Sequence, residues 1–177
     1  MKEWVLQKIM GTKEHKAKVP KNIRVGVITV SSTRSLLDDK SGQWISKQVR
    51  KEDSELVLHQ VIPDEAVTIT RTVIAAIQEH APQVLILTGG TGISIQDVTI
   101  EAVRPFFDKE LTAFGTLFAL LSFEEIDSAA ILSRATAGLI GRTVIFCIPG
   151  SLKACKLACS QLIFPELGHL VRHVEEA

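Results

Sequence analysis

The stretch that most constrains this chain is Val84-Leu85-Ile86-Leu87-Thr88-Gly89-Gly90-Thr91-Gly92, followed by Ile93-Ser94-Ile95-Gln96-Asp97-Val98-Thr99. Four apolar residues in a row, with no alternation, describe a strand covered on both faces, as in a parallel sheet. The three glycines then permit positive φ and close approach of the main chain to a ligand, so successive N–H groups can converge on an anion. At the carboxyl end of a central strand, such a loop lies where open α/β sheets bind ligands. Two familiar phosphate loops are excluded. Gly92 is followed by Ile93 rather than by Lys-Ser/Thr, and the third glycine of a dinucleotide fingerprint would fall at Ile95. The plain alternative is a strand-to-helix turn without a ligand, although three glycines and two threonines exceed what a turn requires.

The flanking segments predict the sheet. Ile23 to Val30 reads as a buried first strand, and Leu56 to Ile62 as a second, ended by Pro63-Asp64. A helix is expected from Ser41 or Gly42, with Trp44, Ile45 and Val49 on one side. From Glu65 to His80 the spacing of Ala66, Ile69, Val73, Ile74 and Ile77 gives an amphipathic helix. Strand–helix–strand–helix–strand order predicts an α/β three-layer sandwich with a mostly parallel central sheet and right-handed crossovers. Further on, Thr99 is expected to cap a helix reaching Pro105, and an apolar helix to span about 114 to 121. Ile131-Leu132 and Thr143 to Ile148 read as strands, with Gly138 and Gly141 as turn residues between them. A helix carrying Leu152, Cys155, Cys159 and Leu162 follows, and Pro165 starts or kinks the last one. The organisation is a lysine-rich arm over 1–22, containing Trp4, and one domain over 23–177.

A chain of 177 residues, 46% apolar, can bury a substantial core. Its formal net charge of zero argues against a nucleic-acid binder relying on bulk electrostatics. Cys147, Cys155 and Cys159 cannot all pair, and reduced core thiols suit a cytoplasmic protein. No segment has the length of a membrane span. His169 and His173, four apart on the last helix, are either metal ligands or exposed helix positions.

Three strands end in polar or glycine-rich segments: Ser31 to Arg34, Thr88 to Thr91, and Pro149 to Ser151. Strand ends at one edge of a parallel sheet converge, so these can share one anionic ligand. Asp64 and Asp97 follow the second and third strands, where a carboxylate pair can hold Mg²⁺ against phosphates. Asp64 has the alternative of capping the helix after it. Asp97 lacks that alternative, because Thr99 already offers a cap. Arg34, Lys40, Arg104 and Arg134, taken singly, read as solvated surface residues.

Several segments resemble the MoaB/MogA family of molybdenum-cofactor biosynthesis proteins. They are Thr88-Gly89-Gly90-Thr91-Gly92, Asp97-Val98-Thr99 with Glu101-Ala102, Phe114-Gly115, Leu132-Ser133-Arg134-Ala135, and Pro149-Gly150-Ser151. Asp39-Lys40-Ser41-Gly42, Ile62-Pro63-Asp64-Glu65 and Pro165-Glu166-Leu167 with His169-Leu170 match as well, and the Ser-Arg-Ala and Pro-Glu-Leu segments look closer to MoaB. The resemblance covers about 24 to 171. It implies a molybdopterin-binding α/β fold, assembled as trimers or as hexamers of two trimers, and working with other proteins of that pathway. It also implies that the terminal phosphate of molybdopterin attacks the α-phosphate of ATP with Mg²⁺, giving adenylyl-molybdopterin and pyrophosphate. The family's catalytic and Mg²⁺-holding aspartates fall on Asp64 and Asp97. Substrate binding is expected at Ser31, Ser32, Thr33, Thr88, Gly89, Gly90, Thr91, Gly92, Ser133, Pro149, Gly150 and Ser151. The chain departs from the family pattern at Ser32, Gln96, Thr116, Ala119 and Asp127. The alternative implied by those departures is a catalytically weak or inactive molybdopterin carrier.

Overall fold

The structure is a computed structural model that describes residues 22–176, so all of the expected lysine-rich arm but Asn22, Trp4 included, lies outside the described residues. A six-stranded sheet forms the middle layer. Its strands are β1 (Arg24–Val30), β2 (Glu55–Ile62), β3 (Val84–Thr88), β4 (Lys109–Glu110), β5 (Thr136–Ile140) and β6 (Thr143–Ile148), in the order β2-β1-β3-β6-β5-β4. The first four of that order pair in parallel, and β5 and β4 close the far edge antiparallel. The fold is therefore a single-domain α/β structure with a mostly parallel sheet.

Alternation along the central strands divides the core in two. Val25, Val27, Val84, Ile86, Val144, Phe146 and Ile148 face one side, and Ile28, Val30, Leu85, Leu87, Ile145 and Cys147 the other. On the first face pack α1 (Lys40–Lys51) through Ile45 and Val49, α4 (Thr112–Ile126) through Phe114 and Phe118, α5 (Leu152–Ala158) and α6 (Phe164–Glu175). On the second pack α2 (Ala66–His80) through Ile69 and Val73, and the short α3 (Thr99–Val103) through Ile100 and Val103. Each large apolar side chain buried in this way contributes about 1.5–3 kcal/mol. Between α5 and α6, Cys159–Ile163 forms a π-helical turn just ahead of Pro165, whose missing N–H cannot continue the regular hydrogen-bond ladder. Among the described residues no helix is long and apolar enough to cross a membrane.

Three expectations are corrected. Ile131 and Leu132 close a 3₁₀ helix, Asp127–Leu132, and the strand lies further on, at Thr136–Ile140. Gly138 is inside that strand rather than in a turn. A Cβ there would lie 2.4 Å from the Phe107 ring, so the glycine makes room for an aromatic packed on the sheet. Thr99 does not cap α3, since its hydroxyl donates to Gly89 O at 2.8 Å. Gly141, by contrast, has φ +56 between β5 and β6 and is the turn residue anticipated.

Helix α1 starts on a fully buried aspartate. Asp39 Oδ1 accepts from Gly42 N at 2.9 Å, and its Oδ2 accepts from Thr29 Oγ1 at 2.6 Å and faces His59 Nε2 at 2.9 Å. Burial pushes the Asp39 carboxyl up, but hydrogen bonds from Thr29, Gly42 and His59 outweigh it and hold the group below its ordinary value. A depressed carboxyl adds stability that is complete above the ordinary aspartate range and is lost as pH falls through the lowered value. Asp39→Ala is expected to cost roughly 3 kcal/mol at neutral pH and to flatten part of the acid limb of stability. Urea unfolding of both proteins across the acid range measures both effects.

Candidate functional site

The ends of β1, β3 and β6 lie side by side, and the loops leaving them are in contact. Gly89 has φ +104, and a Cβ there would lie 2.2 Å from Val30 O. A Cβ on Gly150 would approach Gly89 Cα to 3.0 Å, and Gly90 has φ +61. No residue with a side chain fits where these three loops meet. The loop is fastened by Thr99, whose N–H donates to Gly90 O at 2.9 Å, and by Gly89 N donating to Ile148 O at 3.0 Å.

Two carboxylates flank the loop. Asp64 Oδ2 accepts from both the N–H (2.6 Å) and the hydroxyl (2.9 Å) of Ser32, while Asp64 N donates back to Ser32 Oγ at 3.0 Å. Asp64 Oδ1 lies on the glycine side, 3.2 Å from where a Cβ of Gly90 would be. Asp64 thus holds Ser32 rather than capping α2, whose N-cap is Glu65. Asp97 lies against the other end of the loop, its Oδ2 2.7 Å from a Cβ position on Gly92, and accepts from Ser94 N at 2.9 Å. The Ser94 hydroxyl, the N–H groups of Ser94 and Gly92, and the Arg134 charge outweigh burial and hold the Asp97 carboxyl below its ordinary value. It is an anion at neutral pH.

The remaining expected residues divide between lining the loop and supporting it. Thr91 is buried, and among the described residues its hydroxyl has no partner, so the loop carries an unsatisfied polar atom. Thr88 Oγ1 donates to Pro149 O at 3.0 Å and ties β3 to the end of β6. Ser151 caps α5, its hydroxyl accepting from Ala154 N at 3.2 Å. Ser31 Oγ accepts from Thr33 N at 3.4 Å within the first loop. Ser133 N–H donates to Ala130 O at 2.9 Å, immediately before Arg134.

Three residues have roles that sequence reasoning missed. Arg134 Nε donates to Thr91 O (3.0 Å) and Gly92 O (2.9 Å), while its Nη1 reaches Glu101 at 2.6 Å. It is a clamp on the glycine loop, not a solvated charge. Arg34 Nη1 and Ser41 Oγ both donate to Gly150 O, at 3.1 and 2.9 Å. Arg104 is paired with Glu110 at 2.9 Å and stays outside the loop cluster. Only the Ser-Arg-Ala and Lys-Ser-Gly matches to the family pattern signalled Arg134 and Ser41.

Among the described residues no three His, Cys, Asp or Glu are grouped to hold a metal. Two carboxylates beside a phosphate-sized loop suit Mg²⁺, which commonly takes one or two carboxylates and completes its shell with phosphate oxygens and water. A cleft of about 470 Å³ of mixed polarity, lined by Ser31, Ser32, Arg34 and His59 together with Leu36 and Pro63, adjoins Asp64 through the Ser32 loop. A larger groove of about 750 Å³ between α2 and Phe106 is mostly apolar and lacks the glycine loop. Glycine loop, oriented acids and adjoining cleft define an α/β domain built to hold a small anionic ligand at its strand ends.

Comparison with known proteins narrows that class. Residues 26–169 match the family described as "Probable molybdopterin binding domain". The chain is 44% identical over 168 residues to Molybdenum cofactor biosynthesis protein B of Bacillus subtilis, covering 94% of this chain and 99% of that one. A crystal structure of a molybdenum cofactor biosynthesis protein B superposes with a TM-score of 0.87 at 40% identity, over 90% of this chain and 100% of the other. The tungsten cofactor synthesizing protein MoaB of Pyrococcus furiosus superposes with 0.79 at 39% identity, over 88% and 98%. This chain belongs to the molybdopterin-binding-domain family of molybdenum cofactor biosynthesis proteins.

The close contact at the loop gives a direct test. Gly90→Ala would place a Cβ 2.4 Å from Thr99 Oγ1 at φ +61 and is expected to destabilise the fold by roughly 1–3 kcal/mol. Denaturant midpoints of the two proteins check it, with Gly141→Ala as the comparison, where φ is positive but no atom lies within 4 Å.

Proposed function

We propose that this protein binds molybdopterin and catalyses its Mg²⁺- and ATP-dependent adenylylation. The observation that carries the reading is the meeting of a glycine loop, an unsatisfied buried Thr91 hydroxyl and two flanking carboxylates at adjacent parallel strand ends. In this reading the Gly90 and Thr91 amides and Gly150 would hold phosphate oxygens, since the Gly89 and Gly92 amides are already bonded, and Asp64 and Asp97 would hold Mg²⁺, which would offset phosphate charge. An oxygen of the molybdopterin phosphate forms a new bond to the α-phosphorus of ATP, and the bond to the departing pyrophosphate breaks. Catalysis is then alignment and charge neutralisation, without a covalent enzyme intermediate.

A second reading, a molybdopterin carrier without turnover, is favoured by how the cations are used. Arg34 is spent on Gly150 O and Arg134 on Thr91 O, Gly92 O and Glu101, and Gln96 stands where the family pattern has arginine. Incubation with molybdopterin, ATP and Mg²⁺ separates the two. The enzyme reading expects adenylyl-molybdopterin, with at least about 10²-fold less from Asp97→Ala or Asp64→Ala. Tight pterin binding without product establishes the carrier.

We also place the protein in the cytoplasm, where its three buried, unpaired thiols stay reduced, alongside other proteins of the pathway. Assembly into trimers or hexamers suits α4, which exposes Leu117, Leu120, Phe123 and Ile126 at three-residue spacing. Leu120→Glu is expected to lower the mass seen by analytical ultracentrifugation, and an unchanged mass removes α4 from the interface.

A further inference from the structure

The last helix, α6, carries an arrangement unrelated to the glycine loop. His169 and His173 are four residues apart, so they lie one above the other on one face. Their Nε2 atoms face each other at 2.9 Å, with ring centroids 4.6 Å apart and planes inclined at 57°. Behind His169, Glu166 Oε2 stands 3.3 Å from Nδ1. In the tautomer with Nδ1–H toward that carboxylate, Nε2 has its lone pair aimed at His173, the arrangement that carboxylate-backed metal ligands use.

The two rings are hydrogen-bonded Nε2 to Nε2, and the bond is bent. A straight N–H···N bond of this length would put the centroids about 5.2 Å apart. Two imidazoles sharing one ion at about 2.05 Å and a right angle have nitrogens about 2.9 Å and centroids about 4.5 Å apart. The bent hydrogen bond observed here already sets the rings at the separations of the second case. A tetrahedral ion would spread the nitrogens to about 3.3 Å, so the geometry fits tetragonal metals better than zinc.

We infer that His169 and His173 form a surface site for a divalent transition-metal ion with right-angled nitrogen ligands, Cu²⁺ first and Ni²⁺ second. The opposite face of α6 is anchored by buried Leu167 and Val171, so the two ring positions are held before the ion arrives. Solvent supplies the remaining ligands, since both rings are at the surface. His173 also lines a cleft of about 290 Å³ with Asp108, Lys109, Gly141 and Val144. That cleft is at the start of β6, and Glu175 is bonded to Gln83 just ahead of β3. The site is therefore at the end of the sheet opposite the glycine loop, and its occupancy is independent of the proposed adenylylation.

The test is titration of the full, metal-free chain with Cu²⁺, Ni²⁺ and Zn²⁺, followed by calorimetry, with electron paramagnetic resonance for Cu²⁺. The expected result is a Cu²⁺ species with two nitrogen donors, bound at least about tenfold tighter than Zn²⁺. His173→Ala and His169→Ala should each weaken Cu²⁺ binding at least about tenfold, Glu166→Gln by less, and His80→Ala not at all. His173 is exposed on a helix and alanine favours helix, so that variant keeps its fold, as circular dichroism would verify. Equal Cu²⁺ binding by the wild type and His173→Ala, or a preference for Zn²⁺, overturns the site.

Discussion

The approach of Gly89 to the Val30 carbonyl is the contact on which the rest of the site depends. Neighbouring parallel strands run about 4.8 Å apart, so loops leaving adjacent strands in the same direction compete for the same space. Gly89 and Gly150 resolve that competition by having no side chains, and positive φ at Gly89 and Gly90 turns the chain back across the strand ends. Everything next to the loop then has to hold its carbonyls outward. Thr99 takes those of Gly89 and Gly90, and Arg134 takes those of Thr91 and Gly92. With four consecutive carbonyls engaged, the loop is held from one side by Thr99 and Arg134, and the Thr91 hydroxyl stays buried within it.

This way of building the loop consumes positive charge. Arg134 gives Nε to two main-chain carbonyls and is neutralised by Glu101, whose own carboxyl it holds below the ordinary value, while Arg34 gives one donor, Nη1, to Gly150 O. The loop is thus bordered by two anions, Asp64 and Asp97, with Arg134 committed to structure. An anionic phosphate compound entering such a place needs a counter-ion between it and the carboxylates. In the proposed reaction Mg²⁺ is therefore a condition of binding as well as of turnover.

What could be read from the sequence follows the range of the interactions involved. β1, β3 and β6 were legible because a strand buried on both faces writes itself as an unbroken apolar run, and the glycines that follow mark the loops. β5 was not, because Thr136–Ile140 is short, contains Gly138 and carries fewer large apolar residues than Ile131-Leu132 just before it. The reason for that glycine is the Phe107 ring, about thirty residues away in sequence, which no local pattern reveals. Arg134 was misread for the same reason. Its partners Thr91 and Gly92 are more than forty residues earlier, and a lone arginine in a polar stretch looks like any surface charge.

Ser32 shows how a departure from a family pattern can change meaning once its contacts are known. Where the family pattern that this chain resembles reads Ser-Asp in the first loop, this chain has Ser31-Ser32, which the sequence alone counts as a lost charge. In the fold that serine grips Asp64 three ways, by N–H and hydroxyl to Oδ2 and by accepting from Asp64 N. Two acids at that spacing would repel unless a cation lay between them, whereas a hydroxyl fixes the carboxylate with no ion present. Only Oδ1 remains to meet a ligand, and it is already turned toward Gly90. The substitution exchanges a second charge for a preset orientation, which lowers the ordering cost of binding at Asp64 while leaving fewer oxygens to share a metal.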